Sequence, residues 1–290
     1  MIENQNNKGC NDMIKTVDFF GIPVTRLILG DNTFTGHSYI TEVHSGEEMM
    51  NYYTAEKCVE TLFEAEANGL NTYLALADQF ILRVLRQYRN EGGEMNIIFQ
   101  SYPALDLEVN LWQMMACDPI AIYHQGGSAD LLIEEGNAEE LQRRLELIRK
   151  AGVKVGVGTH ETENLLRYET ENWDVDFYLS CVYNFRRAQR GQKSGYITGK
   201  PKDVVFDAGD PPLMYNAIRA VKKPCIAYKL FAGGQVFLEK SQDEIPAIAE
   251  QVIREAFDNI KPHDIICIAA FQKLKNQIKE NADIVKKVLC

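Results

Sequence analysis

No stretch of this chain approaches the ~20 consecutive apolar residues that a membrane-spanning helix needs. The opening segment MIENQNNKGCND is polar and lacks the apolar core of a signal peptide. The expectation is a chain addressed neither to a membrane nor for secretion, and hence cytoplasmic. Cysteine occurs seven times, at 10, 58, 117, 181, 225, 267 and 290, but never as a C-x-x-C pair. That scatter argues against a zinc finger or a disulfide framework and fits a reducing compartment. Positive charge is also short: 31 Lys and Arg face 41 Asp and Glu, a formal net charge of −10. Nonspecific nucleic-acid binding, which rests on neutralising phosphates, is therefore not expected. No repeat, low-complexity tract or interdomain linker is visible, so one domain over residues 1–290 is the expectation.

What is present is an ordinary globular balance, 46% apolar and 25% charged over 290 residues. From residue 26 onward, β-branched runs alternate with amphipathic stretches. Strand candidates lie at 26–32, 71–76, 96–102, 120–126, 153–160, 176–184, 224–231 and 264–271. Near-continuous apolar strands are what a parallel sheet covered on both faces requires. Helical stretches fall at 54–69, 79–91, 108–117, 137–151, 161–171, 212–222, 242–260 and 276–289. In 137–151, Leu141, Leu145 and Ile148 recur at helical spacing behind Asn137, a candidate N-cap. Eight strand–helix units predict an α/β fold, a (β/α)₈ TIM barrel, a fold that usually occupies about 250 residues. MIKTVDFFGIPVTRL ahead of it predicts a hairpin that closes the barrel bottom. Two long loops, 33–53 and 185–211, follow strands and so belong at the C-terminal mouth, where barrel enzymes build their sites.

Six fragments in order carry a family resemblance: GIPVTRLILGDNTFTG (21–36), GLNTYLALAD (69–78), VGVGTHETENL (155–165), LSCVYN (179–184), IAYKLFAGG (226–234) and IAAFQKLKNQIKEN (268–281). Together they resemble the aldo/keto reductase superfamily over nearly the whole chain. His124-Gln125-Gly126-Gly127 and Tyr228-Lys229 resemble an uncharacterised bacterial branch of that group. The resemblance implies a barrel oxidoreductase with NADP as cofactor. It places Tyr228 against the nicotinamide, Gly158, Thr159 and Ser180 at its carboxamide, and Gln277, Glu280 and Asn281 near the adenine. The family's Asp–Tyr–Lys–His tetrad does not carry over. Its aspartate falls on Leu74, its tyrosine on Gln79 and its lysine near Gln100 or Ser101, with only His124 as a shifted counterpart of the histidine. The set that grips a 2′-phosphate is likewise reduced, with Phe271-Gln272 at its core. Ordinary NADPH-dependent aldehyde reduction is therefore expected to be weak or absent.

Polar residues at the strand ends suggest other chemistry. Asp31, Asp78, His124, His160, Tyr183 and Lys229 are the candidate catalytic groups, and Asp31, His124, His160 and Lys229 are expected to face one cavity. His124 and His160 end neighbouring strands and, with Asp31, Asp78 or Cys181, have the donor types for a divalent metal, although no H-x-H or H-E-x-x-H signature is present. Lys229 has three readings: it holds a phosphate or carboxylate, forms a Schiff base, or pairs with Asp31 or Asp78. Arg186, Arg187, Arg190, Lys193, Lys200 and Lys202 make the loop after the sixth strand basic and suited to attracting an anion. The expected partner is a small anionic or polyhydroxylated metabolite. Three function classes follow: an oxidoreductase-like enzyme, a non-redox lyase or isomerase using Lys229 or a His-bound metal, and an inactive ligand-binding barrel.

Overall fold

The computed structural model describes residues 13–199, 204 and 206–290. Eight parallel strands close into a barrel: β3 (Leu27–Gly30), β4 (Thr72–Leu76), β5 (Asn96–Gln100), β6 (Ala121–His124), β7 (Lys154–Thr159), β8 (Phe177–Cys181), β9 (Cys225–Tyr228) and β10 (Ile265–Ala269). They are neighbours in chain order, and β10 pairs back onto β3 through Ile268 opposite Leu29. All eight expected strands are present, so the fold is the (β/α)₈ barrel.

The antiparallel pair β1 (Thr16–Phe19) and β2 (Ile22–Thr25) forms the N-terminal hairpin. Its turn is at Phe20-Gly21, with Gly21 at φ +91°, and Ile22-Pro23 already belongs to the second strand. Phe19 and Val24 plug the barrel interior, packing with Ile28, Ile98, Phe177 and Ile226. The Phe19 and Phe177 rings meet edge to face at 5.2 Å. Gly156 on β7 makes room for that plug, since a Cβ there would sit 2.5 Å from the Phe177 ring.

The outer layer follows the expected helices closely: α2 (Ala55–Ala67), α3 (Gln79–Asn90), α4 (Leu107–Met115), α6 (Ala138–Lys150), α7 (Thr162–Thr170), α9 (Asp210–Ala220), α10 (Ile245–Asn259) and α11 (Gln277–Val288). Leu141, Leu145 and Ile148 are the buried face of α6, as their spacing requires, but the Asn137 side chain makes no capping bond. Within the first long loop, Ser45 caps a short helix, α1 (Gly46–Tyr52), by accepting from the Glu48 amide at 3.0 Å. The second long loop holds a 3₁₀ turn at Phe185–Gln189 and one helical turn, α8 (Gly195–Thr198). Outside the two long loops, one helix has no counterpart in the sequence reading. It is α5 (Gly126–Glu134), which starts directly after β6 and precedes α6.

Candidate active site

The C-terminal mouth of the barrel opens into a cavity of about 1080 Å³. Its floor is formed by strand ends, and its walls by the first loop, the Phe185–Gly199 segment and the loop after β9. Asp31, Asp78, His160, Tyr228, Lys229, Gln277 and Asn281 all line it.

At the floor lies a chain of three side chains. The Asp130 carboxylate, on α5 and fully buried, accepts from His160 Nδ1 at 2.8 Å and from the His160 amide at 3.0 Å. Its other oxygen accepts from Thr159 Oγ1 at 2.5 Å and from Asn164 Nδ2 at 2.9 Å. A carboxylate facing Nδ1 puts the ring proton there and leaves the Nε2 lone pair to accept. Nε2 stands 3.0 Å from the Tyr228 hydroxyl, which is therefore the donor. Burial lowers the His160 pKa to about 4, against the opposing pull of Asp130, so the imidazole is neutral at pH 7. Burial likewise raises Tyr228 well above an ordinary phenol.

Lys229 follows Tyr228 and turns the chain out of β9 with φ +63°, a left-handed conformation that costs a non-glycine residue roughly 1–2 kcal/mol. Its ammonium donates to the Tyr39 hydroxyl at 2.7 Å. It lies 4.1 Å from the centre of the Phe185 ring and 4.6 Å from that of Tyr39. Phe185 in turn packs on His160 at 4.2 Å. Of the three readings of Lys229, the pairing with Asp31 or Asp78 is thus corrected: aromatic faces surround it instead.

On the other side of the floor, Asp31 accepts a short bond from the Leu76 amide. Burial, with Asp78 adding to it, raises the Asp31 pKa to about 7. Asp78 caps α3, accepting from the Ile81 amide at 2.8 Å, and burial raises its pKa too.

Five expected site residues do not line the cavity. His124 is corrected by strand alternation. Tyr123 takes the inward position on β6 and bonds Gln100, while His124 faces the helix layer and feels Arg144 and Glu140 of α6. Burial there lowers its pKa to about 3. Tyr183 turns its hydroxyl to the Leu230 carbonyl oxygen at 3.5 Å and its ring edge to face onto Phe206. Gly158 has its bare face filled by α5, since a Cβ there would lie 2.9 Å from the Gly126 nitrogen. Thr159 is committed to Asp130, and Ser180 is buried in β8 away from the cavity. The carboxamide positions implied by the family resemblance therefore do not present donors to the cavity, although Gln277, Glu280 and Asn281 at its far end do line it.

With His124 and His160 on opposite faces of the barrel wall, they cannot share an ion. Among the described residues, no three His, Cys, Asp or Glu side chains converge as a metal site. The three arginines of the basic loop are corrected as well. Arg186, 1% exposed, makes a two-pronged pair with Glu134 at 2.9 and 2.6 Å, Arg187 pairs with Asp210, and Arg190 pairs with Glu161. These arginines buttress the wall rather than present free charge. Lys200 and Lys202 lie outside the described residues.

The sequence reading missed Asp130, Asn164, Tyr39 and Phe185. A signal for the first was available: Asp130 is the single charge inside GGSADLLI, where a carboxylate within an apolar run calls for buried donors.

No family model matches the chain, and no curated protein does. Several solved structures share its fold. The apo form of Gox0644 superposes with a TM-score of 0.57 at 13% identity, covering 93% of this chain and 88% of that one. A dihydropteroate synthase of Xanthomonas albilineans with 4-aminobenzoic acid gives 0.55 at 8% identity, covering 94% and 96%. A putative lactate oxidase of Pediococcus acidilactici gives 0.52 at 11%, covering 99% and 77%. Identities this low show a shared barrel and nothing about chemistry.

Proposed function

We propose that this barrel is an enzyme that moves protons on a small hydroxy or carbonyl compound, with aldo/keto reductase-like ancestry but without that family's tetrad. The observation that carries the reading is the Asp130–His160–Tyr228 chain at the cavity floor. A substrate hydroxyl, or a C–H acidified by a neighbouring carbonyl, gives its proton to the Tyr228 oxygen as the phenolic proton passes to His160 Nε2. Asp130 stabilises the imidazolium that results, and the reverse transfer returns the proton. Asp31, which holds its proton up to about pH 7, supplies the complementary acid in the same cavity. Two groups whose environments push their pKa values apart are the arrangement that acid–base chemistry at neutral pH needs. The cavity also exceeds the usual range of about 300–1,000 Å³ for small-ligand sites, leaving space for a short substrate.

The test is solvent exchange. The chain is incubated in D₂O with a panel of short hydroxy and keto compounds, and loss of C–H signals is followed by NMR. Exchange on some panel members, lost in Tyr228→Phe and in His160→Gln, supports the reading. Exchange that survives Tyr228→Phe overturns it, and binding without any exchange favours an inactive barrel.

A nicotinamide oxidoreductase is the second reading, favoured by the reach of the cavity to Gln277, Glu280 and Asn281. The carboxamide end does not fit, so the residues at the mouth support no hydride step. Titration of NADPH fluorescence decides whether the dinucleotide binds at all.

A further inference from the structure

We infer that Lys229 is the anchor for an anionic group on the substrate, which makes the substrate a short hydroxy or keto acid rather than a neutral polyol. The inference rests on the proton-transfer reading above and specifies its substrate. An ammonium has three donors, and among the described residues the one hydrogen bond that Lys229 makes is to the neutral Tyr39 hydroxyl. None of its contacts among those residues is an ion pair, whereas Arg186, Arg187 and Arg190 nearby all end on carboxylates. A charge placed at the edge of a large cavity with only aromatic faces and a phenol for company is incompletely compensated.

The aromatic faces decide between the two remaining chemistries for this lysine. Phe185 at 4.1 Å, Tyr39 at 4.6 Å and Tyr228 at 5.6 Å turn π faces to the ammonium, the contact that an aromatic ring makes with a cation. A Schiff base needs the free amine, and anion binding needs the cation. The geometry also sets the relation to the relay. Lys229 and Tyr228 are consecutive and line the same cavity, with Nζ 5.6 Å from the centre of the Tyr228 ring, so one short ligand can meet both side chains. A carboxylate and a phosphate share this chemistry, as does the diphosphate of a nucleotide, and the probes below separate them.

The experiment is calorimetric titration of the chain with glycerate, glyceramide, inorganic phosphate and NADPH at one pH and ionic strength. Expected is measurable binding of glycerate, with glyceramide at least tenfold weaker and an additional tenfold or greater loss for glycerate in Lys229→Met, in line with a charge-assisted contact. Lys229→Arg retains binding, and Tyr39→Phe, which only unties the ammonium, retains or improves it. Equal affinity for glycerate and glyceramide overturns the inference, as does glycerate binding unchanged in Lys229→Met. Binding of NADPH or phosphate alone, with no glycerate, also overturns it in favour of a nucleotide or phosphate site. Circular dichroism melts of each variant show whether a loss reflects the contact or the fold. Tyr228→Phe separates the two claims: it abolishes exchange while leaving glycerate binding in place if both hold.

Discussion

The Tyr228 hydroxyl and His160 Nε2 lie 3.0 Å apart, although 68 residues separate them in the chain and neither strand that carries them neighbours the other. The bond passes over β8 from the end of β9 to the end of β7, and it points the neutral imidazole at a phenol that itself lines the cavity. The support is equally specific. Asp130 reaches up from α5 with both carboxylate oxygens occupied, so its position is fixed before any ligand arrives.

Asp130→Asn is predicted to disable the relay while leaving the barrel intact. An amide cannot accept from every donor that now converges on the carboxylate, and the imidazole loses the charge that fixes its tautomer. Solvent exchange on a turned-over compound should fall by about 10²–10⁴-fold, the usual size of a general acid–base contribution. Urea unfolding should show a cost of about 1–3 kcal/mol from the mispaired buried groups.

Glu134→Gln is predicted to be more damaging to stability. Arg186 is buried against Glu134, and removing the carboxylate leaves an uncompensated guanidinium inside the wall. Breaking such a pair typically costs about 3–5 kcal/mol. A lower urea midpoint, together with faster proteolysis after Arg186 or Arg190, is the expected result.

His124→Leu should be more stabilising at pH 5 than at pH 8. The folded pKa of His124 is lowered to about 3 from 6.5, and His37 and His160 are each lowered to about 4. Between pH 6.5 and those values the unfolded chain binds protons that the folded chain refuses, so stability falls as pH falls. Leucine removes one such site and an imidazole Nδ1 that has no partner among the described residues. Chemical unfolding at the two pH values checks the sign.

Asp31→Asn should show the opposite dependence. Its pKa is raised from 3.8 to about 7 by burial, so its contribution is fully present below about pH 4 and is lost as pH rises through 7. Asparagine carries no charge to bury. The variant should gain stability relative to the native chain at pH 8 and differ least at pH 5, again read by unfolding at both values.

Gly156→Ala tests the plug at the barrel bottom. A methyl there meets the Phe177 ring and the Tyr123 Cβ, so the inner layer must shift. Overpacking of this kind costs about 1–3 kcal/mol, and the double variant Gly156→Ala with Phe177→Leu should recover part of it in a thermal melt.

Much of this architecture is local information. Runs such as NIIFQ and FYLSC can be buried on both faces only as inner parallel strands, and the helical spacing of Leu141, Leu145 and Ile148 states which side of α6 meets them. Alternation of eight such pairs leaves few ways to close a sheet, so the barrel and the cavity at its C-terminal end follow from the chain alone, as do the places of Asp31, His160 and Lys229 at strand ends. Which way a strand-end side chain turns is not local. His124 and His160 end adjacent strands with the same chemistry, yet one faces the helices and the other the mouth, because register and pleat are set by neighbouring strands. The helix that carries Asp130 begins on two glycines and reads as a loop, and its carboxylate gains meaning only when Thr159, His160 and Asn164 fold around it. The loop arginines look like a free basic patch until Glu134, Glu161 and Asp210 arrive from distant elements. Long-range charge pairing and hydrogen bonding, unlike periodicity, depend on partners tens of residues away, and only the closed barrel brings them within reach.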